Sequence, residues 1–432
     1  MRPLVLLFSF ALVFAFAFAS IACTEPSPDP AAPPISDANA PESSRSADAD
    51  NDTALPPAPF PAFRPAPPQV ETAGGPVLKT PRIVAVVFEG DPLATEIDAF
   101  VHEMGASPEY WQRVTAEYGV GPLASTKTVI AHEMPPATAA IADVQAWIKE
   151  RTEGPTPLLG AFDSETMYTL FYPESTQVVL DGSGPQCQAF GGYHLDAKRP
   201  DGTSMFYVAI PRCPADALTP LEQATTAASH EWAEGAADPQ PTVAPAYGRI
   251  DADHLAWGVS FSDYPTAEIG DLCALTPDDT VTPPGFTHAV QRIWSNAEAR
   301  AGHDPCVPAR AGAVYFNTEP VLEERIQVTP AASPPSMTKG VRVPVGTMKT
   351  IALDLYSVAP TAPWKVTVYD VRALLGEPKR LAFTTDRKTG ANGDVLELTI
   401  EALASGPLGG APFAVYSTSG ATTTVSFGFV QN

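Results

Sequence analysis

The sequence predicts a mixed α/β (α+β) domain over residues 80–310 followed by an antiparallel β-sandwich over 311–432. Three patterns predict this. From Thr80 onward, short apolar runs alternate with stretches of helical periodicity. Beyond Ala311 the period changes to two, with turn residues between the runs. Ahead of both lies a Pro-, Ala-, Ser- and Asp-rich stretch with no apolar period at all.

In chain order, Met1-Arg2-Pro3 and the apolar run Leu4–Ala19 read as a secretory signal. The run ends in Ser20-Ile21-Ala22-Cys23, which resembles a bacterial lipobox with serine where leucine is usual. Residues 1–22 are therefore expected to be a lipoprotein signal peptide, and Cys23 the lipidated membrane anchor. The alternative is ordinary cleavage near Ala22, which leaves Cys23 free. Thr24, rather than aspartate, follows the cysteine. In the sorting pattern this resembles, that implies the outer membrane of a Gram-negative bacterium. Residues 23–79 cannot bury enough surface to offset chain entropy, so they are expected to be a disordered tether. At ~3 Å per extended residue, the tether reaches on the order of 100 Å.

Ile83–Phe88 is a continuous apolar run, expected as a central strand. Helices are expected over Ala94–Met104, Pro108–Tyr118 and Ile141–Thr152. Strands are expected over Met167–Tyr172, Gln177–Leu180 and Met205–Ile210. In the second domain Ile351, Leu353 and Leu355 alternate with polar or small residues. Trp364, Val366 and Val368 follow suit, as do Leu396, Leu398 and Ile400, and then Val425, Phe427 and Phe429.

The chemistry concentrates in one helix, expected over 219–237. Thr219 caps it, Pro220 suits its first position and Glu222 completes a capping box. Leu221, Ala224, Ala228 and Trp232 form an apolar face, and His230, Glu231 and Glu234 lie on another. This His-Glu-x-x-Glu helix resembles the zincin His-Glu-x-x-His helix, in which two histidines bind zinc and the glutamate is general base. Here Glu234 stands in place of the second histidine, and a carboxylate is an admissible zinc ligand. Catalytic zinc needs a third protein ligand. Glu268, Asp271 and His194 are the candidates, with Gly191-Gly192 permitting a tight turn before the histidine. Each also has an ordinary reading, as a surface cap, a surface pair or a hydrogen-bonded loop residue. Asp238, eight residues after His230, is a further acid near the helix or simply its terminating turn.

Several phrases resemble the exported family related to the plant EXORDIUM (phosphate-induced) proteins and their bacterial relatives. They are Ser107-Pro108-Glu109-Tyr110-Trp111, Glu117-Tyr118-Gly119-Val120-Gly121 and Gly191-Gly192-Tyr193-His194, followed by Ser229-His230-Glu231-Trp232-Ala233-Glu234 with Asp238-Pro239. Glu268-Ile269-Gly270-Asp271-Leu272-Cys273 and Gln291-Arg292-Ile293-Trp294-Ser295-Asn296 complete the set. The resemblance spans roughly Pro81–Cys306. It implies an exported protein whose first domain is zincin-like or EXORDIUM-like, and says little about activity.

With Cys23 lipidated, Cys187, Cys213, Cys273 and Cys306 remain, an even number in an exported chain. Three pairings are open. Cys187–Cys213 with Cys273–Cys306 is preferred, because each pair brackets a stretch flanking the candidate site. The net charge of −23 argues against nucleic acid as a partner. No G-x-S-x-G elbow, P-loop or dinucleotide fingerprint occurs. His102-Glu103 and His132-Glu133 lack a following ligand and are expected to be solvated. Trp257 and Trp294 are expected in the core or the site wall.

Two functions from different classes fit. The first is a zinc-dependent, metallopeptidase-like hydrolase at the cell envelope, with Glu231 as general base. The second is a non-catalytic envelope lipoprotein that binds a peptide, a protein or a surface polymer.

Overall fold

A strand that is apolar at every position needs cover on both faces, and the first domain supplies it. The computed structural model describes residues 58–215, 217–261, 266–274, 276–330 and 334–432. The expected signal peptide, Cys23 and residues 23–57 of the expected tether lie outside these. In chain order the domain runs β1 (Val70–Glu71), β2 (Arg82–Phe88), α1 (Ala94–Ala106), α2 (Pro108–Thr115), β3 (Ser125–Ala131), β4 (Thr138–Ala140), α3 (Ile141–Thr152), β5 (Thr166–Phe171), β6 (Gln177–Val179), β7 (Tyr193–Lys198), β8 (Ser204–Ile210) and α4 (Pro220–Ala237).

The central sheet has the order β3-β2-β5-β8-β7. Its first four strands are parallel, and β7 turns back antiparallel on β8. Alternation divides the side chains between two layers. Ile83, Ala85, Val87, Phe171, Phe206, Val208 and Ile210 pack with residues of α1, α2 and α4. Val84, Val86, Phe88, Leu170, Tyr207 and Ala209 pack with Val144 and Ile148 of α3. Two helical layers thus sandwich the sheet, and α4 lies on the first face.

The expected helices form, with one shorter than its periodicity implied. After Thr115 the chain makes a single 3-10 turn over Ala116–Tyr118, which Gly119 ends at φ 81°, a left-handed geometry suited to glycine. Two strands of the central sheet escaped the sequence reading. β3 is an edge strand with a mixed surface, Ser-Thr-Lys-Thr-Val-Ile-Ala, so its apolar signal is weak. β7 directly follows Gly191-Gly192, which read as a turn.

The tether expectation fails for residues 58–79. Val70 and Leu78 are buried. β1 pairs antiparallel with Arg249–Ile250. The Val70 backbone exchanges hydrogen bonds with the Asn296 amide at 2.9 and 2.8 Å, and Leu78 N–H donates to Ala236 O at 2.9 Å. Two apolar anchors with paired backbone outweigh a proline-rich composition.

The second domain is the expected sandwich, antiparallel except that Ser336–Arg342 pairs parallel with Thr422–Gln431. One sheet orders Phe316–Pro320, Met348–Ser357, Val395–Ala402 and Leu381–Thr385. The other orders Glu324–Val328, Ser336–Arg342, Thr422–Gln431, Gly410–Ser419, Trp364–Asp370 and Thr389–Gly390. Leu353, Leu355, Trp364, Val366, Leu396, Leu398, Ile400 and Phe413 fill the space between. Val425, Phe427 and Phe429 face outward and join the core of the first domain instead. Trp257 meets Phe427 at 4.8 Å and Trp294 at 5.4 Å between ring centroids, so both tryptophans are core residues.

Candidate metal centre

The start of α4 follows its capping box. Thr219 Oγ1 accepts from Glu222 N–H at 3.2 Å, and the Glu222 carboxylate accepts from Thr219 N–H at 2.8 Å. Trp232 fixes the helix to the sheet layer. Its ring stacks on Phe100 at 5.3 Å, and its Nε1–H donates to Thr169 Oγ1 at 2.8 Å. The expectation of a helix buried on one side is too weak, because α4 is buried all round from Ala224 to Ala237. The face carrying His230, Glu231 and Glu234 is covered by β7, by the Glu268–Asp271 segment and by Gln291. No more than 2 % of any of these three helix residues is exposed.

His194 lies on β7 rather than in a loop. Its neighbours Tyr193 and Leu195 point to the α3 side, so alternation aims the imidazole at α4. There its Nδ1 meets Glu231 Oε2 at 2.9 Å and lies 3.8 Å from Glu234 Oε2, while its Nε2 lies 3.4 Å from Glu268 Oε1. His230 Nε2 faces Glu234 Oε2 at 2.9 Å and Asp271 Oδ1 at 4.0 Å. Glu234 Oε1 accepts from the backbone N–H groups of Gly270 and Asp271, each at 3.0 Å. All five residues expected to bind metal, with Glu231, therefore come together in one buried cluster.

Gln291 also belongs to the site, and it was quoted in the sequence only as part of a phrase. Its Nε2–H donates to Gly270 O at 2.7 Å, which fixes the amide orientation and turns Oε1 toward His230 Nδ1 at 2.9 Å. His230 must then carry its proton on Nδ1, which leaves the Nε2 lone pair aimed at Glu234. Two lone pairs facing each other at 2.9 Å require a cation between them, either a proton or a metal ion. His194 Nε2, His230 Nε2 and Glu231 Oε1 are all buried and make no well-directed hydrogen bond among the described residues, although the two nitrogens lie against the Glu268 and Glu234 carboxylates. Donor atoms of His194, Glu231 and Glu234 lie within 4.8 Å of one another, as do those of His230, Glu234 and Asp271.

The phrases that carried the family resemblance brace this arrangement. Tyr110 donates to Gln291 O at 2.8 Å, Trp111 to Gly121 O at 3.0 Å and Tyr118 to Trp294 O at 2.7 Å. Both disulfides form with the preferred pairing. Cys187–Cys213 ties the loop ahead of β7 to the residues after β8, and Cys273–Cys306 holds the segment bearing Glu268 and Asp271. Gly270 must be glycine, since a Cβ there would stand 2.6 Å from His230 Nδ1 and 2.8 Å from Glu234 Oε1. Asp238 ends α4 and accepts from Ala246 N–H at 2.9 Å, so it supports the site from outside the two donor groups. His102 and His132 are exposed, as expected, but Glu103 and Glu133 are half-buried and paired with His288 and Arg151 rather than solvated.

Charge is the unusual feature. Glu231, Glu234, Asp238, Glu268 and Asp271 surround two imidazoles, and among the described residues no lysine or arginine pairs with any of them. Burial pushes Asp271 well above the usual carboxylate range, and the Glu234 charge adds to this. Burial likewise raises Glu234, against the pull of His230. Asp238 rises to about 7 through burial and the neighbouring Glu268. Burial opposes charge on the histidines, but the acids outweigh it. His230 rises to about 10, chiefly beside Glu234, and His194 lies well above 6.5 beside Glu268 and Glu231.

A pH dependence follows. A buried acid such as Asp238 binds its proton more tightly folded than unfolded, so stability falls as pH climbs from ~4 to about 7. A raised histidine contributes stability that is complete below ~6.5 and lost as pH climbs through about 10. Both slopes have one sign. Chelator-treated protein should melt progressively lower at pH 5, 7 and 9, and saturating divalent cation should flatten the trend. A melting temperature that rises over that range contradicts this account.

No family model and no curated protein matches the chain. Among solved structures, titin M4 in its trigonal form is 15% identical, with a TM-score of 0.16, over 28% of this chain and 97% of that one. A chimeric titin Z1Z2 carrying an exogenous decorin peptide is 14% identical, also with a TM-score of 0.16, over 28% of this chain and 95% of that one. Similarities of this size assign neither fold nor activity. The chain comprises a sheet-rich α/β domain, with a buried His/Glu/Asp cluster between sheet and loops, and a mostly antiparallel sandwich.

Proposed function

We propose that the protein is a metal-dependent hydrolase of the cell envelope. His230, Glu234 and Asp271 hold a zinc-type divalent ion, and Glu231, oriented by His194, is the general base. The observation that carries this reading is the convergence of the buried donor atoms of His230, Glu234 and Asp271, with His230 Nε2 facing Glu234 Oε2 at 2.9 Å. Imidazole nitrogen with carboxylate oxygen is a donor set that suits zinc. When bound, such an ion polarises a carbonyl and acidifies water to a pKa of ~7.

The protein's own groups have separate tasks. Gln291 holds the His230 tautomer, and the Gly270 and Asp271 amides hold the Glu234 orientation. Glu231 is held through Oε2 by His194 Nδ1, so its unpartnered Oε1 is the atom that takes a proton from water. Glu268, 3.4 Å from His194 Nε2, receives positive charge that develops on that ring. The substrate class is an amide or ester. On this reading α4 is a zincin-like helix in an EXORDIUM-like domain, and a lipidated Cys23 anchors the chain in the outer membrane.

A second reading is an envelope protein that binds a peptide, a protein or a surface polymer and uses the ion structurally. Burial favours it, because structural sites are closed while catalytic ones keep an open position. The test is metal analysis of protein purified without added metal, with hydrolysis of a mixed peptide and ester library by wild type and Glu231→Gln. The hydrolase reading expects a bound ion in both proteins and a rate lower by ~10²–10⁴ in the variant. A bound ion with no turnover in wild type leaves the binding protein. Wild type with no ion sinks the metal centre.

A further inference from the structure

We infer that the cluster holds two divalent cations rather than one, bridged by Glu234. The first is the ion proposed above, on which this inference rests. The second lies among His194, Glu231 and Glu234.

The geometry separates the two histidines. Each falls in its own group of converging donors, and neither group contains the other imidazole, although both contain Glu234. Donors on one zinc lie within ~4.2 Å of each other, twice a bond length. Each histidine therefore serves its own ion. Glu234 is built to join them. Its Oε1 is occupied by two backbone N–H groups, so Oε2 is left facing His230 Nε2 at 2.9 Å and His194 Nδ1 at 3.8 Å. In the first group His230 Nε2 is buried and faces only Glu234 and Asp271 among the described residues, and in the second His194 Nδ1 and Glu231 Oε2 face each other at 2.9 Å with Glu234 Oε2 beside them.

Charge favours the same count. Once cations displace the protons held by Glu234, Asp238, Asp271 and the imidazoles, five buried carboxylates keep an excess of three negative charges over one divalent ion and of one over two. Paired ions ~3.5–4 Å apart are a recurring hydrolytic arrangement, in which the two clamp the attacking and leaving oxygens. With the second ion bound, His194 Nδ1 and Glu231 Oε2 would meet through it in place of their direct hydrogen bond, and Glu231 Oε1 would remain free as base.

The test is stoichiometry and spin coupling in the full chain, treated with chelator and reloaded with Zn²⁺ or Mn²⁺. Native mass spectrometry should find two Zn²⁺ per chain in wild type, one in His194→Ala and one in Asp271→Asn. The Mn²⁺-loaded wild type should give an exchange-coupled paramagnetic resonance spectrum, and His194→Ala the six-line signal of isolated Mn²⁺. The wild-type spectrum needs no variant, so a misfolded mutant does not spoil the reading. One ion per wild-type chain, retained in His194→Ala with an uncoupled spectrum, overturns the second site and leaves the first. No ion in wild type overturns both.

Discussion

Glu234→Ala is expected to weaken divalent-cation binding in the full chain by roughly two to three decades, while Glu234→Gln weakens binding as much and largely preserves the fold. The two substitutions separate what the carboxylate does for the backbone from what it does for a cation. Glu234 Oε1 accepts the Gly270 and Asp271 N–H groups. Alanine leaves both donors buried and unsatisfied, at about 1–3 kcal/mol each. Glutamine can present its amide oxygen to the same two donors, but it then turns –NH₂ toward His230 and His194, which offers no lone pair to a metal. Structural zinc sites bind with about 10–16 kcal/mol shared by roughly four ligands. One ligand is then worth about 2.5–4 kcal/mol, or roughly two to three decades in affinity. Isothermal titration with Zn²⁺ and chemical denaturation measure the two effects separately. A glutamine variant that still binds zinc at wild-type affinity would show that Glu234 is not a ligand.

Gly235→Ala has the second large effect, and intrinsic propensity points the wrong way for it. In an isolated helix the change to alanine stabilises by about 1 kcal/mol. In this protein a Cβ at position 235 would lie 1.9 Å from Phe206 Cζ and within 3 Å of both adjacent ring carbons. Phe206 is itself buried, and its ring sits 5.6 Å from the His194 ring between centroids. The ring has nowhere to go, so α4 must lift from the sheet. That movement carries His230, Glu231 and Glu234 away from His194, which stays on β7. Overpacking of this kind costs about 1–3 kcal/mol and should exceed the propensity gain. The expected result is a less stable protein with zinc affinity reduced at least tenfold. Phe206→Leu in the same chain should recover most of both losses, because it removes the atoms that clash. If Gly235→Ala alone raises the denaturation midpoint, the close approach of helix and sheet does not govern the site.

Residues near in sequence were legible, and residues brought together by packing were not. Thr219, Pro220 and Glu222 announced the start of α4, because capping is a contract among neighbours along the chain. Ile83–Phe88 announced a strand covered on both faces. Leu353, Leu355, Leu396, Leu398 and Ile400 announced one face of a sandwich, because alternation is local. Val425, Phe427 and Phe429 show the limit. Their alternation identified a strand, but only the folded chain shows that they face the first domain rather than the sandwich interior. Val70 and Leu78 show another limit, since composition averages over a segment and two buried anchors outweigh the average.

The site divides in the same way. By itself the sequence determined that His230, Glu231 and Glu234 share a stretch of helix, and it narrowed further ligands to His194, Glu268 and Asp271. Only the tertiary structure decided that all three join the cluster, that Gln291 sets the His230 tautomer, and that two imidazoles approach Glu234 from opposite elements. The reason is that convergence depends on distances between β7, α4, the 268–271 segment and residue 291. Sheet order, helix packing and two disulfides set those distances, and none of them is encoded in the spacing of residues along one element.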